Sequence, residues 1–146
     1  MRTPIMVSVV AACSVFVVAL LAALFHHNTV NGHVLTPLEQ LPEALILAVI
    51  FSALALLGTW LGMRRGKIQH LTYRAGLAVA LLYLVASFLV NTSIHTAPQT
   101  VTIPSHEFDV QGRKVMLIGL LWGIGVPYAM ALVVRRFRFF ATTDGA

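Results

Sequence analysis

The sequence predicts an all-α membrane protein, a bundle of four transmembrane helices in a single domain, residues 1–146. Hydrophobic residues make up 58% of the 146 residues and charged residues only 10%, whereas a soluble domain carries about 25% charge. The apolar residues form four blocks, each close to the ~20 residues that a helix needs to cross a bilayer. The connections are too short for a separate soluble domain.

The four predicted spans are separated by two outer connections and one inner connection. The spans cover residues 5–25, 43–63, 74–94 and 115–134, the outer connections 26–42 and 95–114, and the inner connection 64–73. The first span is longer than the ~7–15-residue apolar core of a secretory signal peptide and lacks a clean cleavage site. We therefore expect it to be retained as an anchor.

The distribution of Lys and Arg predicts the orientation. Only Arg113 and Lys114 lie on the predicted outer side. Eight basic residues lie on the inner side: Arg2, Arg64, Arg65, Lys67, Arg74, Arg135, Arg136 and Arg138. This asymmetry predicts a multi-pass protein with both termini in the cytoplasm, and the compact loops favour a bacterial inner (plasma) membrane. The basic residues flank helix ends, where they meet anionic headgroups, so the net charge of +5 does not indicate a nucleic-acid partner.

Both outer connections carry local structural signals. The segment Thr36–Glu39 matches a capping box with proline at the first helical position, which predicts a short outer helix before Pro42 opens the second span. In the second connection apolar and polar residues alternate between Val101 and Gln111. This alternation predicts a small outer β-hairpin, and an irregular loop with chance alternation is the alternative.

Small residues follow one face of several spans, and we call each such face a seam. In the second span they are spaced by four and three residues: Ala48, Ser52, Ala55, Thr59, Gly62 and Gly66. The first span repeats the spacing with Ser8, Ala12, Val15, Ala19 and Ala22, and the fourth carries Gly119 and Gly123. Small residues allow the close backbone approach that holds helices together in lipid. The seams therefore predict helix packing, either within the chain or against a partner protein.

The third span carries a polar stripe instead. Tyr83, Ser87, Asn91 and His95 follow one another at a spacing of four residues, which places them on one broad side of a helix. Polar groups are costly in hydrocarbon unless they are hydrogen-bonded, so this side is expected to face the bundle.

Two histidines are the candidate metal ligands. The seam of the first span, extended by four residues, reaches His26, so this face and the polar stripe each end in a histidine at the outer boundary. His26 and His95 could bind Zn²⁺, Cu²⁺ or Ni²⁺. Haem ligation by the same pair is less favoured, because the rim of the bundle would leave the macrocycle uncovered. The alternative is that both rings rest in the headgroup layer without a ligand.

No motif in the sequence indicates a reaction. It contains no phosphate-binding glycine loop, no Gly-x-Ser-x-Gly and no His-Glu-x-x-His, and no charged residue lies near the middle of a span. We therefore predict no catalytic residue. The predicted function is an accessory or structural subunit of a larger inner-membrane assembly, in contact with lipid and with a membrane-protein partner or a second copy. The alternative is a small transporter or metal-handling protein that uses the outer histidines.

Overall fold

The computed structural model describes residues 3–25, 29–30, 33–64, 71–95 and 105–137. The fold is helical, with four helices: α1 (Thr3–Phe25), α2 (Pro37–Arg64), α3 (Tyr73–His95) and α4 (Ser105–Arg136). Each predicted apolar block lies within one of them. A minimal antiparallel pair of strands, β1 (Thr29–Val30) and β2 (His33–Val34), lies between α1 and α2 and pairs Thr29 with Val34 and Val30 with His33.

Three helices are long and apolar enough to cross a membrane. They are α1, α2 and the Leu117–Arg136 portion of α4, while α3 contributes a shorter apolar stretch, Tyr73–Leu89, among the described residues. Large apolar side chains also cover the outside of the bundle. Phe25, Phe88 and Leu121 are each about two-thirds exposed or more, as expected for a surface surrounded by lipid rather than water. The protein is therefore a membrane protein by the length and composition of its helices.

The four helices form a ring in the order α1, α2, α4, α3. Helix α1 packs against α2 and α3, and α4 packs against the same two helices. Neighbours α2 and α4 run parallel, because Gly58 lies next to Ile124 and Gly62 next to Tyr128. Neighbours α1 and α3 also run parallel, since positions early in α1 meet positions early in α3.

The packing is unevenly distributed along the bundle. One cluster of buried residues lies where α1 and α3 begin and α2 and α4 end: Val7, Ala11, Met63, Leu71, Ala75, Val79, Ala131 and Val134. A second cluster, near the middle, contains Val15, Ala55, Ala80 and Tyr83. We call the end with the first cluster the packed half, and the other end, where α1 and α3 finish, the open half. Large side chains of all four helices are exposed in the open half.

Helix α2 begins with the predicted capping box. The Thr36 backbone N–H and hydroxyl both donate to the Glu39 carboxylate, at 2.7 and 2.8 Å, and the Glu39 N–H donates to the Thr36 hydroxyl. The prediction of a separate short outer helix ending before Pro42 is wrong, because α2 continues through Pro42 to Arg64. The capping box fixes the turn that precedes Pro42, and the apolar residues of the span continue the same helix beyond it.

The predicted outer β-hairpin in the second connection is wrong over its described part. Helix α4 begins at Ser105, so Phe108, Val110 and Gln111 are helical, while residues 101–104 lie outside the described residues. Two apolar residues two apart fit a helix as well as a strand. Glu107 and Asp109 lie near the first turn of α4, where negative charge is favourable. The only described strand pairing is the short β1–β2 pair in the first connection.

Candidate functional site

The seam of α2 faces helices within the chain over most of its length. Ala48, Ala55 and Thr59 are fully buried. A β-carbon built at Gly62 would lie 2.6 Å from the Ala131 β-carbon and 2.8 Å from the Tyr128 carbonyl oxygen, and one at Gly58 would collide with the Ile124 carbonyl oxygen. The two glycines therefore allow the backbones of α2 and α4 to come into direct contact.

The remaining seam residues of α2 and α4 are placed differently. Ser52 is half-buried and donates to the Val49 carbonyl of its own helix, while Gly66 lies outside the described residues. Gly123 is buried against the Leu54 side chain. Gly119, in contrast, is exposed with no atom near the position of an added β-carbon, so it takes no part in packing among the described helices.

Helix α1 meets α3 at a glycine, Gly76, that is not part of any predicted seam. Ser8, Ala12 and Val15 are buried, and a β-carbon at Gly76 of α3 would lie 2.6 Å from the Val7 carbonyl oxygen. Ser8 donates to the Pro4 carbonyl of its own turn, so its hydroxyl does not join the helices. Gly76 lies four residues before Ala80, and this spacing of small residues could have indicated that this side of α3 packs against another helix.

The polar stripe of α3 faces the bundle where its side chains are described. Tyr83 is buried, and Ser87 accepts a hydrogen bond of 3.1 Å from the indole N–H of Trp122 in α4. Tyr83 and Ser87 also interact through their side chains. The side chains of Asn91 and His95 lie outside the described part of the chain. The role of Trp122 is not predictable from sequence, because nothing in its position distinguishes a hydrogen-bonded indole from a lipid-facing one.

Two arginines make contacts in the packed half, at the ends of α2 and α4. Arg135 of α4 donates from Nη1 to the Gly62 carbonyl oxygen at 3.2 Å. That carbonyl belongs to the last turn of α2, where carbonyls lack intrahelical partners and a cation is favourable. Arg64 lies over the Trp60 ring at 5.0 Å, within the range of a cation–π contact. Both contacts therefore lie at the packed end of the bundle.

The two helices that lead to the candidate histidines finish at the same end of the bundle. Helices α1 and α3 are parallel neighbours that end at Phe25 and His95. His26 itself and the His95 side chain lie outside the described residues. Among the side chains that are described, no group of three metal-ligating residues occurs. The metal site at His26 and His95 therefore stays a prediction.

One face of α4 is left uncovered by the other helices. Gly125 and Ala129 are exposed and four residues apart, and no atom lies within 4 Å of a β-carbon built at Gly125. Leu121 and Val133 extend this face by four residues in each direction and are also exposed. We call these four residues the α4 outer face. It carries the same small-residue spacing as the buried seams, but nothing in the described chain packs on it.

Comparison with known proteins found no match for this chain among protein families, curated proteins or solved structures. Function is therefore inferred from the residues themselves.

Proposed function

We propose that the protein is a four-pass integral protein of a bacterial inner membrane, with both termini in the cytoplasm and no catalytic activity of its own. Its role is that of an accessory or structural subunit that holds a transmembrane helix of a partner protein. The apolar character of α1, α2 and α4 supports membrane insertion. The parallel packing of α3 beside α1 supports a fourth pass. Arg64, Arg135 and Arg136 share the packed half, which supports the cytoplasmic assignment of that end.

The α4 outer face is the observation that supports binding of a partner's transmembrane helix, which we call the docking role. A glycine facing lipid contributes no packing and lowers helix propensity by about 1 kcal/mol relative to alanine. Small residues four apart, such as Gly125 and Ala129, let a second helix approach closely and gain van der Waals contact. Within this chain small residues at the same spacing, Gly58 and Gly62, bring α2 into contact with α4. The same spacing of small residues on the exposed side of α4, where no described helix packs, supports a contact with another transmembrane helix.

The surface next to the α4 outer face has a shape that suits such a contact. A shallow, mainly apolar depression of about 430 Å³ is lined by Ala129, Leu132, Val133 and Arg136. A side chain of an approaching helix would fill it. Arg136 lies at its rim and offers a hydrogen-bond donor to a carbonyl or carboxylate at the cytoplasmic end of the partner helix.

The test is a substitution that removes the partner without disturbing the bundle. Because nothing packs at Gly125, we expect Gly125→Leu to leave thermal unfolding in detergent unchanged. The same variant should lose the stoichiometric partner that co-purifies with wild type in a gentle detergent, as measured by native mass spectrometry. Leu77→Phe, which enlarges an exposed side chain on α3, is the matched control and should retain the partner.

Two outcomes would contradict the docking role. One is wild-type protein that remains monomeric and unaccompanied in every gentle detergent. The other is undiminished association in both Gly125→Leu and Ala129→Leu. If the partner is a second copy of this chain, the wild-type mass is that of a dimer and Gly125→Leu is a monomer.

A further inference from the structure

The open half of the bundle contains an apolar cavity that the docking role does not use. Its volume is about 620 Å³, and α1, α2 and α3 all contribute to its wall. The wall includes Val18, Ala19 and Ala22 of α1, Phe51 of α2, and Tyr83 and Phe88 of α3. This volume lies within the ~300–1,000 Å³ typical of small-molecule sites.

The cavity is a continuation of the interior of the bundle. The face of α1 that is buried at Ser8, Ala12 and Val15 continues through Ala19 and Ala22 with the same spacing. In the packed half Val7 and Val10 of α1 meet Gly76 of α3 closely, whereas in the open half the short side chains of Ala19 and Ala22 leave space between the helices. The described side chains of α4 from Leu117 to Leu121 are all exposed and do not close the gap. The space is therefore built by small side chains on an inward face.

A directed hydrogen-bond chain ends at the wall of this cavity. The Trp122 indole can only donate, and it donates to Ser87. Ser87 is then free to donate its own proton to the neighbouring Tyr83 oxygen, with which it interacts. The Tyr83 hydroxyl is thereby left with its proton to donate. Tyr83 is only 3% exposed and lines the cavity, so a buried donor is presented to whatever occupies it.

The depth of Tyr83 limits the chemistry of the occupant. Tyr83 lies near the middle of α3 (Tyr73–His95), roughly 15–18 Å along the axis from either end. In the proposed topology this is the centre of the bilayer, where the ester carbonyls of a phospholipid, held near its headgroup, do not reach. None of the described residues that line the cavity is charged, so a charged group there would be strongly disfavoured.

We propose that this cavity binds an uncharged, lipid-soluble carbonyl compound with an apolar tail, such as a long-chain ketone or quinone. Its carbonyl oxygen accepts the hydrogen bond of the Tyr83 hydroxyl, and its tail lies along Ala19 and Ala22 toward the open end. The inference rests on the membrane insertion given under the proposed function, but it is independent of the α4 outer face.

Photolabelling with 4-decylbenzophenone, an apolar ketone, tests the site in purified protein reconstituted in lipid nanodiscs. We expect saturable labelling, mapped by mass spectrometry to the cavity-lining segments of α1 and α3. Tyr83→Phe removes only the donor and should raise the half-saturating concentration about fivefold, as loss of one hydrogen bond implies. Ala22→Phe should fill the cavity and abolish saturable labelling. Leu57→Phe, on an exposed face of α2, should label as wild type does.

The competitor 4-decyldiphenylmethane has the same shape but no carbonyl. We expect it to displace the probe poorly from wild type and more readily from Tyr83→Phe, in which the probe has lost the hydrogen bond that the competitor cannot form. Equal displacement from both proteins would overturn the role of Tyr83. Labelling that is unsaturable, or unchanged in folded Ala22→Phe, would overturn the site. Gly125→Leu should lose the partner and keep the labelling, so failure of one proposal is distinguishable from failure of the other.

Discussion

Gly62→Leu is expected to destabilise the bundle more than any exposed substitution of similar size. A β-carbon at this position would already press on the Ala131 β-carbon and the Tyr128 carbonyl oxygen, so a leucine forces α2 and α4 apart. Separation would also weaken the hydrogen bond from Arg135 to the Gly62 carbonyl. Overpacking of this kind costs about 1–3 kcal/mol, and more where backbone must move. Thermal unfolding in detergent, followed by circular dichroism, measures the loss.

The chain offers a close control for this variant. Gly119→Leu makes the same chemical change on α4, but no atom lies within 4 Å of the added β-carbon, so it should be neutral or slightly stabilising through helix propensity. Leu56→Ala, at a side chain that is 41% exposed, should also have a small effect. Unfolding of Gly62→Leu at the wild-type temperature would show that α2 and α4 do not meet at this point.

Gly76→Leu is expected to have the second large effect, by separating α3 from α1. The nearest atom to an added β-carbon is the Val7 carbonyl oxygen at 2.6 Å, followed by the Val10 β-carbon at 2.9 Å. Backbone cannot rotate away as a side chain can, and Val7 is itself fully buried in the packed half. Even Gly76→Ala should therefore destabilise the fold, with a loss of about 1–3 kcal/mol for the leucine.

Resistance to unfolding by sodium dodecyl sulfate measures this second effect in a graded series. The order of stability should be wild type, then Gly76→Ala, then Gly76→Leu. Leu81→Phe, at a side chain that is 63% exposed on the same helix, serves as the control and should unfold with wild type. If alanine is tolerated and leucine costs nothing, the contact between α1 and α3 is not the one described.

The helices were predictable from sequence because many apolar residues in each block indicate the same element. Each apolar block contains about twenty residues, so errors of a few residues do not change the element. The capping box was predictable for a different reason: Thr36 and Glu39 satisfy each other's hydrogen bonds locally, and no distant contact is needed. The hairpin prediction failed because it relied on a few alternating residues around Phe108 and Val110, which a helix accommodates equally well.

Partners across helices were harder to predict, because spacing along one helix does not identify its neighbour. Gly62 and Gly119 look alike in sequence, yet a β-carbon at Gly62 would meet Ala131, whereas one at Gly119 would meet no described atom within 4 Å. The order of helices around the ring decides which glycine is covered. The partner of Ser87 was unpredictable for the same reason, because Trp122 lies on α4, 35 residues away in sequence.

The placement of α3 is the point on which the four-pass proposal depends most. Its described apolar stretch, Tyr73–Leu89, is shorter than those of the other helices, yet it packs beside α1 along the same direction. If α3 crosses the membrane, the segments before and after it lie on opposite sides. If it does not, they lie on the same side, and the two termini are separated by the membrane.

Single-cysteine labelling on the two sides of α3 tests this claim most directly. In a Cys13→Ser background, Lys67→Cys and Gln99→Cys are treated with a membrane-impermeant maleimide in intact cells and again after permeabilisation, with Ala146→Cys reporting the C-terminus. The four-pass topology predicts that position 99 reacts in intact cells and that positions 67 and 146 react only after permeabilisation. Labelling of positions 67 and 99 on the same side, or of 67 alone in intact cells, would contradict it.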